Sequence, residues 1–239
     1  MTTDPKDDVA GEDVATGDQA IGARSVPRPT RGRLRDESQP IQAVLDEALI
    51  CHVGYLDDGG PVVVPSLHAR IEQTLYLHTS SDSGLARLAA DGTRLCVTVS
   101  LLDGLVLGRS QFNHSMNYRS VIARGEGTLV TGDEEKRTAI AALVDHVAAG
   151  RSRHSRPPNE AELAATALVR LPLTDVILNS RAGPPVDDRN DLGLYHWAGV
   201  IGIRNAFGPA FPAPDLPYDR PVPPQLANYS RSARPHGYR

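Results

Sequence analysis

Apolar and polar positions alternate along this chain with a period that changes every eight to fifteen residues or so, as expected where short strands and helices follow one another. Ile41, Val44, Leu45 and Leu49 recur at helical spacing behind Ser38, placed to cap, and Pro40, tolerated in a first turn, so a short helix is predicted over Ser38 to Ala48. Leu49 to Leu56 reads as a strand, Asp57-Asp58-Gly59-Gly60 as a hairpin turn, and Pro61 to Ala69 and Thr74 to His78 as two more strands of an antiparallel meander. Ser83 to Ala90 is a short helix closed by Asp91-Gly92. Arg94 to Leu102 and Leu105 to Gly108 are strands separated at Asp103-Gly104, and Tyr118 to Thr131 is a long strand in which Gly125 and Gly127 predict a bend or bulge.

Asp133 to Ala148 places Ala139, Leu143, Val144 and Val147 on one face, with acidic residues in its first turn and Gly150 past its end, which predicts an amphipathic helix. Arg151 to Pro158 is a loop, Asn159 caps a helical segment to about Ala165, and Ala167 to Asn179 is a strand that Pro172 makes an edge or bulged one. His196 to Ile203 is the last strand. Seven or eight short, mostly antiparallel strands with three helices predict a mainly β protein, a closed barrel with peripheral helices outside it.

The ends differ from this pattern. Residues 1–24 carry six acidic side chains and almost no large apolar ones, and are expected to be disordered. A basic stretch with Arg24, Arg28, Arg31, Arg33 and Arg35 follows, read either as a linker or as an arm for an anionic ligand or partner subunit. After Pro184-Pro185, Asp187, Asp188 and Asp191 mark a surface loop, and residues beyond Asn205 are Pro-rich and expected to be extended or disordered. The organisation expected is therefore a tail and arm over 1–30, one domain over 31–204, and a Pro-rich tail over 205–239.

A formal net charge of -4 argues against nucleic acid as the main partner. No apolar run reaches 18 residues and no basic segment leads into an apolar one at the start, so no membrane association and a soluble, cytoplasmic protein are expected. Cys51 and Cys96 both fall in apolar runs, which predicts core packing rather than a disulfide.

Two segments carry candidate chemistry. Thr79-Ser80-Ser81-Asp82-Ser83 loads a strand-to-helix junction with hydroxyls, and Arg87 lies one turn on, an arrangement suited either to a phosphate cradle or to an ordinary cap. His114-Ser115-Met116-Asn117-Tyr118-Arg119-Ser120 is too polar and too long for a plain hairpin turn and is read as lining a ligand site. Along its strand Arg119 shares a face with Asn117, and if that face is interior the guanidinium needs an anion, either a ligand or a structural ion pair. His52, His68, His78 and His114 lie on separate elements without metal-ligand spacing, so no metal site is expected, and dinucleotide, P-loop, nucleophile-elbow and CxxC motifs are missing.

The succession Ala48 to His52, the glycine-turn hairpin, Val63-Val64-Pro65, Leu75-Tyr76-Leu77-His78-Thr79 and Ser83 through Arg87 resembles the pyridoxamine 5'-phosphate oxidase-like split-barrel flavoproteins. The nearest subgroup is the flavin-nucleotide-binding proteins, which include the nitroimidazole-resistance proteins. Leu102 to Leu107, His114 to Val121, Arg156-Pro157-Pro158, Arg181 to Pro185 and Trp197 to Val200 extend the likeness over roughly residues 31–203. The resemblance implies an antiparallel six-stranded split barrel of the FMN-binding type, a homodimer, with FMN in a groove shared by two subunits. It places Val64, Pro65 and Ser66 along the flavin ring, Thr79, Ser80 and Ser83 at the ribityl phosphate with Arg87 beside them, and Asn117, Tyr118 and Arg119 on the strand approaching the cofactor, with Trp197 flanking it.

An FMN-dependent oxidoreductase acting on a small molecule follows as the expected function, with Arg119 stabilising negative charge and His68 donating a proton. Two departures stand out: Gly84 and Leu85 replace basic residues that usually pair with the phosphate, and His68 stands where relatives often have Tyr. A lost charge-assisted contact of about 1.5 to 3 kcal/mol weakens FMN roughly ten- to 150-fold unless Arg87 or the N-terminal arginines substitute. The alternatives are another cofactor in the same groove, F420 or haem, with His68 and His78 as haem ligands, or a non-catalytic flavin-binding or sensor protein.

Overall fold

The ring of strands closes through the two ends of its longest members. In the computed structural model, which describes residues 38–217, 220–227 and 229–230, helix α1 (Ser38–Glu47) leads into β1 (Ile50–Asp57), β2 (Gly60–Ile71) and β3 (Thr74–Ser80). Helix α2 (Gly84–Ala90), the long β4 (Thr93–Leu107) and β5 (Ser115–Leu129), helices α3 (Asp133–Val147) and α4 (Glu160–Ala165), and strands β6 (Thr166–Pro172), β7 (Asp175–Arg181) and β8 (Gly199–Gly202) follow. A short helix α5 (Pro224–Ala227) comes last. The acidic tail and the arginine arm expected at the N-terminus lie outside the described residues.

All pairings are antiparallel, and six strands close on themselves in the order β1, β2, β3, β6, β5, β4. β7 adds to β5, and β8 to β4, outside that ring. This is the six-stranded split barrel that the sequence resemblance implies. β2 serves both halves, pairing with β1 up to Leu67 and with β3 from His68 onward, which is why it runs 12 residues.

Side chains of alternate residues point inward along each strand. Cys51, Val53, Leu75, Leu77, Leu95, Val97, Val99, Val121, Val169 and Leu171 fill the barrel, and Val44, Leu45 and Ala48 of α1 close one end. A second cluster, Ala69, Tyr76, Val130, Ala139, Leu143 and Leu168, seats α3 on the outside. Tyr76 donates from its hydroxyl to Glu135 at 2.9 Å, and burial together with that carboxylate raises its pKa.

Several sequence expectations are corrected. β4 is one strand, because Asp103 bulges out between paired Leu102 and Gly104 and lets the ladder continue. The segment after Ala167 is two strands: β6 ends at Pro172, Leu173 donates its N–H to Gln73 and buries its side chain, and β7 then crosses to β5. Gly125 and Gly127 sit in unbroken register with Leu95 and Thr93, so they mark close packing and not a bulge. Cys51 is core, its thiol pushed up to about 12 by burial, whereas Cys96 alternates with the buried Leu95 and Val97 and is exposed; both are free thiols. Within the Pro-rich tail, Phe207 packs edge-on against Tyr229, whose hydroxyl donates to the Val147 carbonyl at the end of α3. Among the described residues no helix is long and apolar enough to cross a membrane.

Candidate functional site

The Thr79–Ser83 junction follows from strand β3 ending beside α2. Thr79 donates through Oγ1 to Ser83 Oγ at 2.8 Å, and Ser83 Oγ accepts the Ala86 N–H at 3.0 Å, so Ser83 is the helix cap. Ser80 and Ser81 both donate to Asp82 Oδ1, at 2.8 and 3.1 Å, and these hydrogen bonds hold the exposed Asp82 carboxyl below its ordinary pKa. The adjacent edge of β2 carries Val64, packed against the core, the exposed Pro65, and Ser66, whose hydroxyl reaches the His78 carbonyl at 2.8 Å and the Leu67 carbonyl at 2.9 Å. The structure therefore brings Val64, Pro65 and Ser66 to the edge that carries Thr79, Ser80 and Ser83.

The Arg87 side chain projects from α2 with no hydrogen bond or ion pair among the described residues, and a Cβ at Gly84 would lie 3.9 Å from its Nη2. Leu85 is only 2 % exposed and belongs to the barrel core. Its position therefore faces away from any ligand at the junction, and only Gly84 stands where a basic side chain could reach one. An open groove of about 540 Å³ runs from Ser81, Asp82, Ser83 and Arg87 past Ala86 and Ala90 to Lys136 and Thr166.

The residues expected to act chemically meet elsewhere, around the last turn of α1. Arg119 donates from Nε and Nη2 to Asp103 at 2.9 and 2.8 Å, and from Nη1 and Nη2 to Glu47 at 2.6 and 2.9 Å. These bonds to Asp103 and Glu47 raise its pKa. Four donor hydrogen bonds to two carboxylates commit the guanidinium to an ion triad, the ion-pair alternative that the sequence left open. His68 is fully buried, with Nε2 2.9 Å from the Leu45 carbonyl and its ring 4.7 Å from that of His146, whose own Nε2 lies 2.7 Å from the Ala48 carbonyl. Both imidazoles meet the carbonyl end of α1 and help to seat that helix.

Asn117 is also fully buried: its Nδ2 donates to the Gly183 carbonyl at 3.1 Å, and its Oδ1 accepts from Arg181 Nη1 at 2.6 Å. It latches the turn after β7, while Tyr118 is half-buried opposite Leu102 and Arg181. Trp197 is 66 % exposed and its ring lies over Gly199, where a Cβ would come within 2.8 Å of it. Asn117 and Tyr118 thus meet β7 and the turn after it, and Arg119 meets the end of α1.

Sequence reasoning missed Glu47, Asp103, Lys136 and Asp187. Asp187, on a side chain 1 % exposed, accepts from the Arg109 backbone N–H at 2.9 Å and from its Nη1 at 2.7 Å. Burial raises the Asp187 pKa, but the Arg109 N–H and guanidinium outweigh it, so the carboxyl titrates below its ordinary value. A depressed carboxylate stabilises above the unfolded pKa of about 3.9 and loses that contribution as pH falls through the folded value. Amide exchange at Arg109 should therefore be protected at pH 6 and lose protection below about pH 4, while Asp187→Ala, which removes the acceptor, should abolish the protection at both; exchange insensitive to either would exclude the latch.

Comparison with known proteins adds to this geometry. The profile of the family described as pyridoxamine 5'-phosphate oxidase matches residues 37–179. The flavocytochrome Anf3 from Azotobacter vinelandii is 35 % identical with a TM-score of 0.75, covering 81 % of this chain and 89 % of that one. An FAD and haem binding protein from Mycobacterium smegmatis is 31 % identical with a TM-score of 0.75, covering 80 % and 95 %. A protein assigned to 5-nitroimidazole antibiotic resistance in Bacteroides thetaiotaomicron is 25 % identical with a TM-score of 0.51, covering 60 % and 83 %. No curated protein sequence matches this chain.

Proposed function

This chain belongs to the pyridoxamine 5'-phosphate oxidase family, and on that premise we propose that it is a flavin-dependent redox protein that also takes haem, passing electrons to or from a small molecule. The observation that carries this reading is its likeness, over four fifths of its length, to a flavocytochrome and to an FAD and haem binding protein. The hydroxyl edge suits the FMN portion of a flavin: Val64, Pro65 and Ser66 would lie along the ring, and Thr79, Ser80, Ser83 and Arg87 at the phosphate. A bound flavin would supply two-electron chemistry, and the protein's part is to orient it and shield it from water.

The outer sheet face supports both a partner copy and haem. Ile50, Leu56, Val63 and Leu67 are 52, 69, 67 and 40 % exposed on neighbouring strands β1 and β2, an apolar surface of the kind a second subunit covers. On that face His52 pairs in register with Pro65, and His78 follows on β3 beside Ser66; both imidazoles are exposed. His114 is exposed as well, with Nδ1 2.9 Å from the Ser110 carbonyl, which turns Nε2 outward as a metal-ligating imidazole requires. Apolar surface with exposed imidazoles fits haem, and His52 and His78 on that face, or His114 ahead of β5, are the residues that would supply an axial ligand.

The absorbance spectrum of the freshly purified protein tests this reading. Flavin bands together with a Soret band are expected, and alanine at one or two of His52, His78 and His114 should abolish or shift the Soret band while the flavin bands remain. A flavin spectrum without a Soret band after haem supplementation would remove haem. Failure to retain either chromophore would overturn the whole proposal.

A further inference from the structure

We infer that His68 and His146 form a proton-operated latch on the carbonyl end of α1, closed at neutral pH and opened by acid. A carbonyl oxygen only accepts, so His68 Nε2, 2.9 Å from the Leu45 oxygen, and His146 Nε2, 2.7 Å from the Ala48 oxygen, both carry a hydrogen and donate it. The two rings lie 4.7 Å apart, His68 on β2 with no exposed surface and His146 half-buried on α3. Two imidazoles thus join α1, β2 and α3 at one point.

A further proton on one ring is tolerated, because the carbonyl end of a helix favours a cation. Protons on both set two cations ring to ring where water screens them poorly, so the pair takes up its protons in two separate steps. The charged and titratable groups on the surrounding elements have bonds of their own. Asp46 of α1 accepts from Arg70 of β2 at 2.9 and 2.6 Å, Glu47 of α1 accepts from Arg119 of β5, and Asp145 of α3 accepts from Ser152. Tyr76 of β3 donates to Glu135 of α3, and Tyr229 of the tail to the Val147 carbonyl. The unfolded chain protonates each histidine near about pH 6.5 and the closed latch takes one proton, so acid below that value favours the open form. His68 is also where β2 changes partner, from β1 at Leu67 to β3, and two residues before it Ser66 donates to the His78 carbonyl at 2.8 Å. Opening the latch therefore loosens the edge formed by Val64, Pro65 and Ser66 and weakens the flavin there, a consequence that rests on the flavin reading above.

Nuclear magnetic resonance of the full chain with isotope-labelled histidine should show the two rings titrating in steps more than about one pH unit apart, and independent titration of the two would overturn the latch. Hydrogen exchange should show the last turn of α1, where the Ala48 N–H meets the Val44 carbonyl at 3.2 Å, losing at least tenfold in protection factor between about pH 7.5 and about pH 5. His146→Gln keeps an amide donor for the Ala48 carbonyl without a titrating ring, and its protection should change less than twofold over that range. An equal loss in parent and variant would place the acid sensitivity elsewhere and sink the proposal. Flavin affinity should fall over the same range in the parent and hold in the variant, whereas affinity indifferent to pH while α1 opens would overturn the link to the site. Should no flavin bind at any pH, the flavin reading fails by itself and exchange at α1 still decides the latch.

Discussion

Replacing Arg119 with alanine will lower the stability of the barrel by about 3 kcal/mol, the lower end for breaking a buried ion pair, because it leaves Glu47 and Asp103 facing each other with no cation between them. The Arg119 side chain is 17 % exposed and those of Glu47 and Asp103 are 21 and 15 %, so water can solvate the stranded charges only in part. For a domain of this size the loss corresponds to a melting temperature lower by about 10 °C. Arg119→Lys will recover only part of it, since an ammonium cannot present two donors to each of two carboxylates. Neutralising both partners in Glu47→Gln/Asp103→Asn should soften the effect of Arg119→Ala, which a cycle of the variants measures. Below the melting transition, flavin affinity should stay within threefold of the parent. An unchanged melting temperature with a tenfold loss of flavin would restore Arg119 to the ligand site.

Gly127→Val will be as costly, for a different reason. A Cβ at Gly127 would lie 2.3 Å from Leu95 Cδ1, 2.9 Å from Leu95 Cγ and 3.0 Å from Val169 Cγ1, and the branched methyls of valine only add to the conflict. Leu95 and Val169 belong to the barrel core, so neither can swing aside without disturbing the packing that closes β4, β5 and β6. Overpacking of this kind costs about 3 kcal/mol or more, and the expected result is soluble expression much reduced and a lower denaturant midpoint. Gly127→Ala should fall between the two. A valine variant with an unchanged midpoint would mean that β5 meets β4 and β6 less closely than the register requires.

The contrast between Arg119 and the Thr79–Ser83 junction shows where sequence reading works. The junction is local: five consecutive residues, one helix cap and one strand end, and its hydroxyls do gather on the edge that Val64, Pro65 and Ser66 border. Arg119 is legible in the sequence as a charge that needs an anion, but the choice between ligand and ion pair lies with Glu47 and Asp103. Glu47 is 72 residues away in sequence, and Asp103 looked like a strand break when it is a bulge inside β4. The carbonyl that meets His68 likewise belongs to a helix 23 residues earlier, beyond the reach of local pattern.

Periodicity, turn residues and the motif order carried by residues 31–203 were enough to determine most of the strands and helices, and the family, since each depends on neighbours a few positions apart or on a pattern read in order; the continuity of β4 across the Asp103 bulge and the break between β6 and β7 depend on partner strands instead. The burial of Leu85 in the barrel core, and the placement of Lys136 of α3 in the same groove as Arg87, follow only from how the chain folds. Which polar groups face one another across the folded chain is set by how the six strands close and where the helices rest on them. Charge pairing and burial depend on those distances in space, and only the tertiary structure supplies them.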